Sequence, residues 1–383
     1  MTAPGPFDDQ AVALLRALSG PHGIHASLDP TATPNYRAVF TRDAVMAGVA
    51  GLLIGDATIT ASFVRTLEHL RDLQGPEGQI PSNYAIGGGA QPQVSFGTLA
   101  PRLDAATWYL VGIGLAAHTK VVDPELFRDS ATRAVRLLNA IEYNGRHLLY
   151  VPPGGNWADE YIYDGYILYD QVIRAWGLRL LGSALKEPSW TLKAEHISQT
   201  IAERYWPAEP ADRRHPLASF SPLGVRDIFD LAAVALLGVS GVAPDLVTRT
   251  LPWISERFLA HQALPPVFHP VIDEGHSDWP ALRRYHLHAF RNLPHEYHNG
   301  GVWPIWLGWF ALALAATEHL TDLARLRALV SGHLAAHPAY AFEEYFHGFT
   351  GDPRGTRAMA YSATGVTFLR HAGSSAQRRL FGQ

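Results

Sequence analysis

Apolar side chains recur at three- and four-residue spacing through most of this chain, the period of a helix with one buried face. The pattern predicts helices over residues 8–18, 42–54, 59–73, 103–117, 124–143, 165–185, 190–205, 225–237, 243–258, 301–320, 322–333 and 356–370. Proline supports two of the starts, at Asp123-Pro124 and Ala243-Pro244, because its ring presets the helical φ and its missing amide costs nothing in a first turn. Thr321 or Asp322 can cap a third. Alternating runs of strand type are few, and residues 148–151 are the clearest.

Two kinds of helix follow from the pattern. Segments 42–54 and 301–317 are almost wholly apolar, and a helix apolar all round is buried all round. Segments 59–73 and 124–143 keep a charged face, carried in the first by Arg65, Glu68, His69, Arg71 and Asp72. Buried helices ringed by half-exposed ones would produce this division. About twelve helices alternating inner and outer make an all-α fold, an (α/α)6 toroid of six hairpins with long loops forming a pocket at one end. The reading places residues 1–383 in one domain. A helical solenoid would show a sequence period, and none is found.

Composition narrows the function. Hydrophobic residues make up 47% of the chain, enough for a large core, and the net charge of -4 comes without a basic cluster. Nucleic acid is therefore not the expected partner. Cysteine is absent, which excludes disulfides, thiolate metal sites and a cysteine nucleophile, and suits a cytoplasmic protein. The first residues lack a basic region followed by an apolar one, so no secretion signal is expected. Residues 299–317 are uncharged, but Gly300, Gly301, Pro304 and the tryptophans mark a core helix rather than a membrane span. Among the 19 histidines, His295 and His298 are three apart in a loop, while His215, His261, His269, His276, His286 and His288 are scattered. No metal and no cofactor is expected. Gly87-Gly88-Gly89 reads as a mobile loop rather than a phosphate cradle. Oligomeric state is left open.

Three loops carry the candidate chemistry. Pro294-His-Glu-Tyr-His-Asn-Gly-Gly-Val-Trp-Pro304 gathers hydrogen-bonding groups, His298 and Asn299 among them, at the mouth of an apolar helix. Such groups need partners, and a polyhydroxylated ligand supplies them. Gly154-Gly-Asn-Trp-Ala-Asp159 sets a carboxylate beside Trp157 and Tyr161, and Phe342-Glu-Glu-Tyr-Phe-His-Gly348 sets two among aromatic rings. Glycosidic cleavage usually needs one protonated and one ionised carboxyl group. Aromatic neighbours suit Asp159 to the protonated role. Glu344 is the candidate base, with Glu343 its nearest rival. Arg42-Asp43, opening an apolar helix, is equally a structural ion pair or a grip on adjacent sugar hydroxyls. Asp104 opens another apolar helix with Trp108 one turn on, and Trp108, Trp157 and Trp303 are candidates for stacking on a sugar ring.

Taken in order, these segments resemble the α/α-toroid glycosidases, most closely the neutral/alkaline invertases and the amylo-1,6-glucosidase (glycogen-debranching) type. The segments are Asn35-Tyr-Arg-Ala-Val-Phe-Thr-Arg-Asp43, Leu99-Ala-Pro-Arg-Leu-Asp-Ala-Ala-Thr-Trp108, Asn156-Trp-Ala-Asp159 with Asp164-Gly-Tyr166, Tyr297-His-Asn-Gly-Gly-Val-Trp-Pro304, and Glu344-Tyr-Phe-His-Gly348 with Thr350-Gly351 and Tyr361-Ser362. The resemblance implies sugar binding by Arg42 and Asp43, with Tyr36 in the same segment. It also implies Asp159 as general acid and Glu344 as general base. Asn156, Leu168-Tyr-Asp170, His347 and Tyr361 depart from the family pattern around the pocket and bear on the substrate.

The expectation is an inverting glycoside hydrolase acting on a small α-glucoside such as sucrose or another short gluco-oligosaccharide. The alternatives are a sugar epimerase or isomerase using His298 and His347, an α-glucoside phosphorylase, and a sugar-binding protein without catalysis.

Overall fold

The computed structural model describes residues 6–87, 91–98, 100–143, 145–284 and 289–382. Gly88, Gly89, Leu99, His286 and His288, named above, lie outside them. Fourteen helices are present among the described residues. They are α1 (Pro6–Leu18), α2 (Thr41–Ile54), α3 (Ala57–Asp72), α4 (Leu103–His118), α5 (Arg128–Ala140), α6 (Leu168–Ala184) and α7 (Pro188–Arg204). The remainder are α8 (Leu231–Ser240), α9 (Pro244–Arg257), the single turn α10 (Trp279–Leu282), α11 (Pro304–Ala316), α12 (Leu320–Ala336), α13 (Ala360–His371) and α14 (Ser375–Phe381).

The nearly wholly buried helices α2, α4, α6, α8, α11 and α13 pack on one another in that order, and α13 returns to α2 to close a ring. Outside them α3 lies on α2, α5 on α4, α7 on α6, α9 on α8, α12 on α11 and α1 on α13. The expected six-hairpin toroid is therefore the observed architecture. At its tightest seam the fit depends on missing side chains. A Cβ on Gly308 of α11 would stand 2.3 Å from the Gly365 carbonyl oxygen, and one on Gly365 of α13 would stand 2.2 Å from that of Pro304.

Helix ends follow local chemistry. Gly55 ends α2 in the left-handed region at φ 69°, and Asp56 then caps α3 by accepting from the Ile59 amide at 3.0 Å. Asp230 caps α8 by accepting from Ala233. Pro244 occupies the first turn of α9 as expected, and Pro124 opens a short 3-10 turn ahead of α5. Thr321 and Asp322 do not cap. Helix α12 starts earlier, and Asp322 instead accepts from Ser255 Oγ at 2.8 Å.

Several inner helices start later than the apolar pattern suggested, because the residues ahead of them are short strand pieces. Tyr166–Ile167 precedes α6 and Phe229–Asp230 precedes α8, while Val39–Phe40 precedes α2, which starts one residue earlier than expected. Paired with neighbours such as Asn83–Ala85, Ser219–Ser221 and Phe268–His269, they brace the loops at the helix N-termini. The expected strand at 148–151 forms only isolated bridges, Leu149 to Glu142 and Val151 to Gly165. At the other end of the ring α14 packs inward, with Phe381 against Trp176 and Trp309 and Gln377 donating to the Leu312 carbonyl at 2.9 Å. No helix among the described residues is long and apolar enough to cross a membrane, and no cluster of metal-ligating side chains occurs among them.

Candidate active site

Helices α2, α4, α11 and α13 present their N-termini to one hollow of about 490 Å3. The first turn of α2 supplies Arg42 and Asp43, the residue before α4 is Arg102, the residue before α11 is Trp303, and α13 contributes Tyr361. The loop between α5 and α6 brings Trp157, Asp159 and Glu160, the loop ahead of α11 brings Arg291 and Tyr297, and the loop between α12 and α13 brings Glu344. Tyr36 and Asn35 come from the turn ahead of α2.

Asp159 and Glu344, far apart in sequence, thus line one hollow. Glu343 does not. Its carboxylate accepts from the Ala341 amide at 2.8 Å and pairs with Arg357 at 3.2 Å, so it holds the loop while Glu344 faces inward.

The two carboxyl groups sit in opposite fields. Burial pushes Glu344 up to about 7, against the pull of Arg291 and the hydrogen bond Tyr36 Oη donates to its Oε1 at 3.2 Å. Asp159 is half-buried, and that burial resists ionisation. Arg102, ion-paired to its Oδ2, leads the charges that overcome that cost, with Arg291 behind it, and holds it below the usual carboxylate range. Arg291 is anchored by Glu160 and lies 4.1 Å from the centre of the Tyr297 ring.

Arg42 Nη1 reaches Asp104 at 2.9 Å, while its Nε lies 3.2 Å from Asp43 Oδ1 without the alignment of a hydrogen bond. Burial pushes Asp43 up. Arg42 Nε, Asp43 Oδ1 and Trp157 Nε1 are buried on the wall of the hollow with no hydrogen-bond partner in the protein. A lone orphan of this kind costs about 1–3 kcal/mol. Trp157 Nε1, with no partner at all, and Arg42 Nε and Asp43 Oδ1, charged to each other but not hydrogen-bonded, leave this wall with capacity for a polar ligand.

Other expected site residues stand elsewhere. Asp104 lies behind the wall and fixes Arg42. Trp108 is a full turn deeper, in the core, where its Nε1 donates to Tyr169 Oη at 2.8 Å beside Trp176 and Trp309. It cannot stack on a sugar in the hollow, because four residues of helix carried it below the floor. Asn299 is framework. Its Oδ1 accepts from the Ile272 amide at 2.8 Å and its Nδ2 donates to the carbonyls of Ile272 and Asn292. His298 is fully buried between Trp157 and Trp303, with neither ring nitrogen bonded, and burial pushes its pKa down to about 3. Trp157 and Trp303 do line the hollow, yet other rings already lie near-parallel to them: Phe268 beside Trp157, and His298 and Tyr345 beside Trp303. Trp157 offers its unbonded N–H more readily than a free face.

Sequence reasoning missed Arg102, Glu160 and Arg291. Arg102 had a signal, a lone cation immediately ahead of an apolar helix. Arg291 had none nearby, since Asn292 is what ties its loop to the site, by accepting from the His298 amide at 3.0 Å and donating to the Glu160 carbonyl at 2.6 Å.

No known family profile matches the chain, and no curated protein matches it. Solved structures do. A GH63 mannosylglycerate hydrolase from Thermus thermophilus, in complex with Tris, superposes at TM-score 0.66 and 15% identity over 95% of this chain and 99% of its own. A bacterial glucoamylase with acarbose gives TM-score 0.66 and 15% identity over 99% of this chain and 57% of its own. A rhamnosidase from Klebsiella oxytoca with rhamnose bound gives 0.66 and 13% over 96% and 63%. The chain shares with them the (α/α)6 barrel.

Proposed function

We propose that the chain is an inverting glycoside hydrolase acting on a short α-glycoside, with Asp159 protonating the leaving oxygen and Glu344 activating water. The observation that carries this reading is the pair itself. Two carboxyl groups from separate loops face one hollow whose wall bears orphaned polar atoms. Arg42 and Asp43 would grip the sugar. Tyr36 orients Glu344 and Asp104 orients Arg42.

A leaving group that bears an anion suits the hollow better than sucrose, because Arg102 and Arg291 both line it. One structural neighbour is named a mannosylglycerate hydrolase, and another structure of it holds D-glycerate. Incubation with sucrose, trehalose, maltose, isomaltose and glucosylglycerate, without added phosphate and with the anomers followed by NMR, tests the proposal. The expected result is cleavage of the glycerate glycoside with inversion. A product of retained configuration removes the inverting mechanism, and no cleavage of any short glycoside removes the hydrolase. Cleavage without phosphate also speaks against the phosphorylase. The epimerase reading loses support because neither His298 nor His347 lines the hollow.

One observation favours a second assignment of roles. Glu344 is the carboxyl held protonated and Asp159 the one held ionised, the reverse of what acid and base require. Glycosyl fluorides separate the two, since fluoride departs with little help from an acid. Under the primary assignment Asp159→Asn loses at least about a hundredfold on the glycoside but keeps fluoride hydrolysis, while Glu344→Gln loses both. The opposite pattern exchanges the roles.

A further inference from the structure

Protonation of Asp159 would leave a charge stranded. Among the described residues Asp159 is the one ion-pair partner of Arg102, whereas Arg42 has Asp43 and Asp104, and Arg291 has Glu160. The Arg102 guanidinium is largely buried, with 16% of its side chain exposed, and its other anchor is the neutral Asn156 carbonyl. Removing one partner of such a pair leaves an uncompensated cation, which is strongly unfavourable. An acid catalyst at position 159 therefore needs something else to take up Arg102.

We propose that Arg102 couples the charge of the substrate to catalysis: an anionic group on the leaving portion draws the guanidinium off Asp159, and the released carboxyl then carries the proton to the departing oxygen. Freed of Arg102, the Asp159 carboxylate takes a proton from solvent water. It gives that proton to the leaving oxygen as the glycosidic C–O bond breaks, while the attacking water bonds to the anomeric carbon and passes a proton to the ionised Glu344, so the charge of the carboxyl pair is conserved through the cleavage. Arginine suits the exchange because its planar fork holds one carboxylate as readily as another. The groups facing Asp159 agree with it. Arg102 comes from the start of α4, while His298 and Arg291 come from the loop ahead of α11. His298 is held neutral by burial, and Arg291 is tied to Glu160, which leaves Arg102 as the cation free to change partners.

The inference rests on the hydrolase reading with Asp159 as acid, and its test separates the two. The wild-type protein is assayed on a glycerate glycoside, on the glycerol glycoside of the same sugar, and on the corresponding glycosyl fluoride, with kcat measured across pH. Coupling predicts that the alkaline fall of kcat lies at least one pH unit higher for the glycerate glycoside than for the glycerol one. Its kcat near neutral pH should also exceed that of the glycerol glycoside by about tenfold or more, while fluoride hydrolysis shows no such fall. In Arg102→Met the glycerol glycoside should gain the higher alkaline limit, since Asp159 keeps its burial and loses its cation. For the glycerate glycoside KM should rise about tenfold or more. If the two wild-type glycosides fall off at the same pH while both are cleaved, the coupling is wrong and the hydrolase stands. If neither glycoside nor fluoride is turned over, both readings fall. The wild-type comparison decides even if Arg102→Met does not fold.

Discussion

Glu344 works against the fold. Its carboxyl group is raised from 4.5 to about 7, chiefly by burial, so the folded protein binds more protons than the unfolded chain between those values. Stability therefore falls as pH rises through that window and levels off above about 7, where the loss is on the order of 3 kcal/mol. Glu344→Gln removes the titration. Denaturant unfolding at pH 8 should find this variant more stable than wild type by about 1–3 kcal/mol, with the difference vanishing near pH 4. An unchanged difference across pH would show that Glu344 does not titrate as its surroundings imply. The same group gives a kinetic sign. If Glu344 is the base, kcat/KM rises through about pH 7, and if it is the acid, kcat/KM falls there.

At the level of helices, the ring is held by close approach as much as by apolar burial. The contact of α11 with α13 places Gly365 under the Pro304 carbonyl, and that contact fixes Trp303 and Met359 at the two helix mouths on the hollow. Gly365→Ala should cost about 1–3 kcal/mol in denaturant unfolding and lower kcat by shifting that wall. Full stability in this variant would mean the helices can part without cost. The helices were legible because burial on all sides leaves an unmistakable all-apolar segment, and α2 and α11 stood out for that reason. Their starts were less legible. Val225 and Gly301 continue the apolar pattern, but Val225 pairs with Phe220 in a short strand and the Gly301 carbonyl accepts from the Val267 amide of another loop at 2.9 Å. The single turn α10 and the short α14 have too few residues to show a period.

Across the whole molecule, the closed ring brings the site together, and this limited what the sequence could reveal. Asp159, Glu344, Arg42 and Asp43 announced themselves by sitting among aromatic rings or at the head of an apolar helix. Trp108 and Asn299 carried equally suggestive neighbours, and only depth along the barrel axis sent them to the core and the framework. Arg291 is set by a hydrogen-bonded loop whose partners are distant in sequence, so no local pattern could mark it. The assembly makes a further prediction. Residues 208–212 are exposed, so a break there should be tolerated. Fragments covering 1–206 and 215–383 should each be inactive alone and recover glycosidase activity when coexpressed. Activity in either half by itself would contradict a site shared between them.

The hydrogen bond from Tyr36 to Glu344 bridges 308 positions of sequence and crosses the place where α13 meets α2. A chain emerging from the ribosome makes its tyrosine 308 residues before the glutamate that this tyrosine will hold. A translation product that stops between the two carries half of the contact and none of the chemistry it serves.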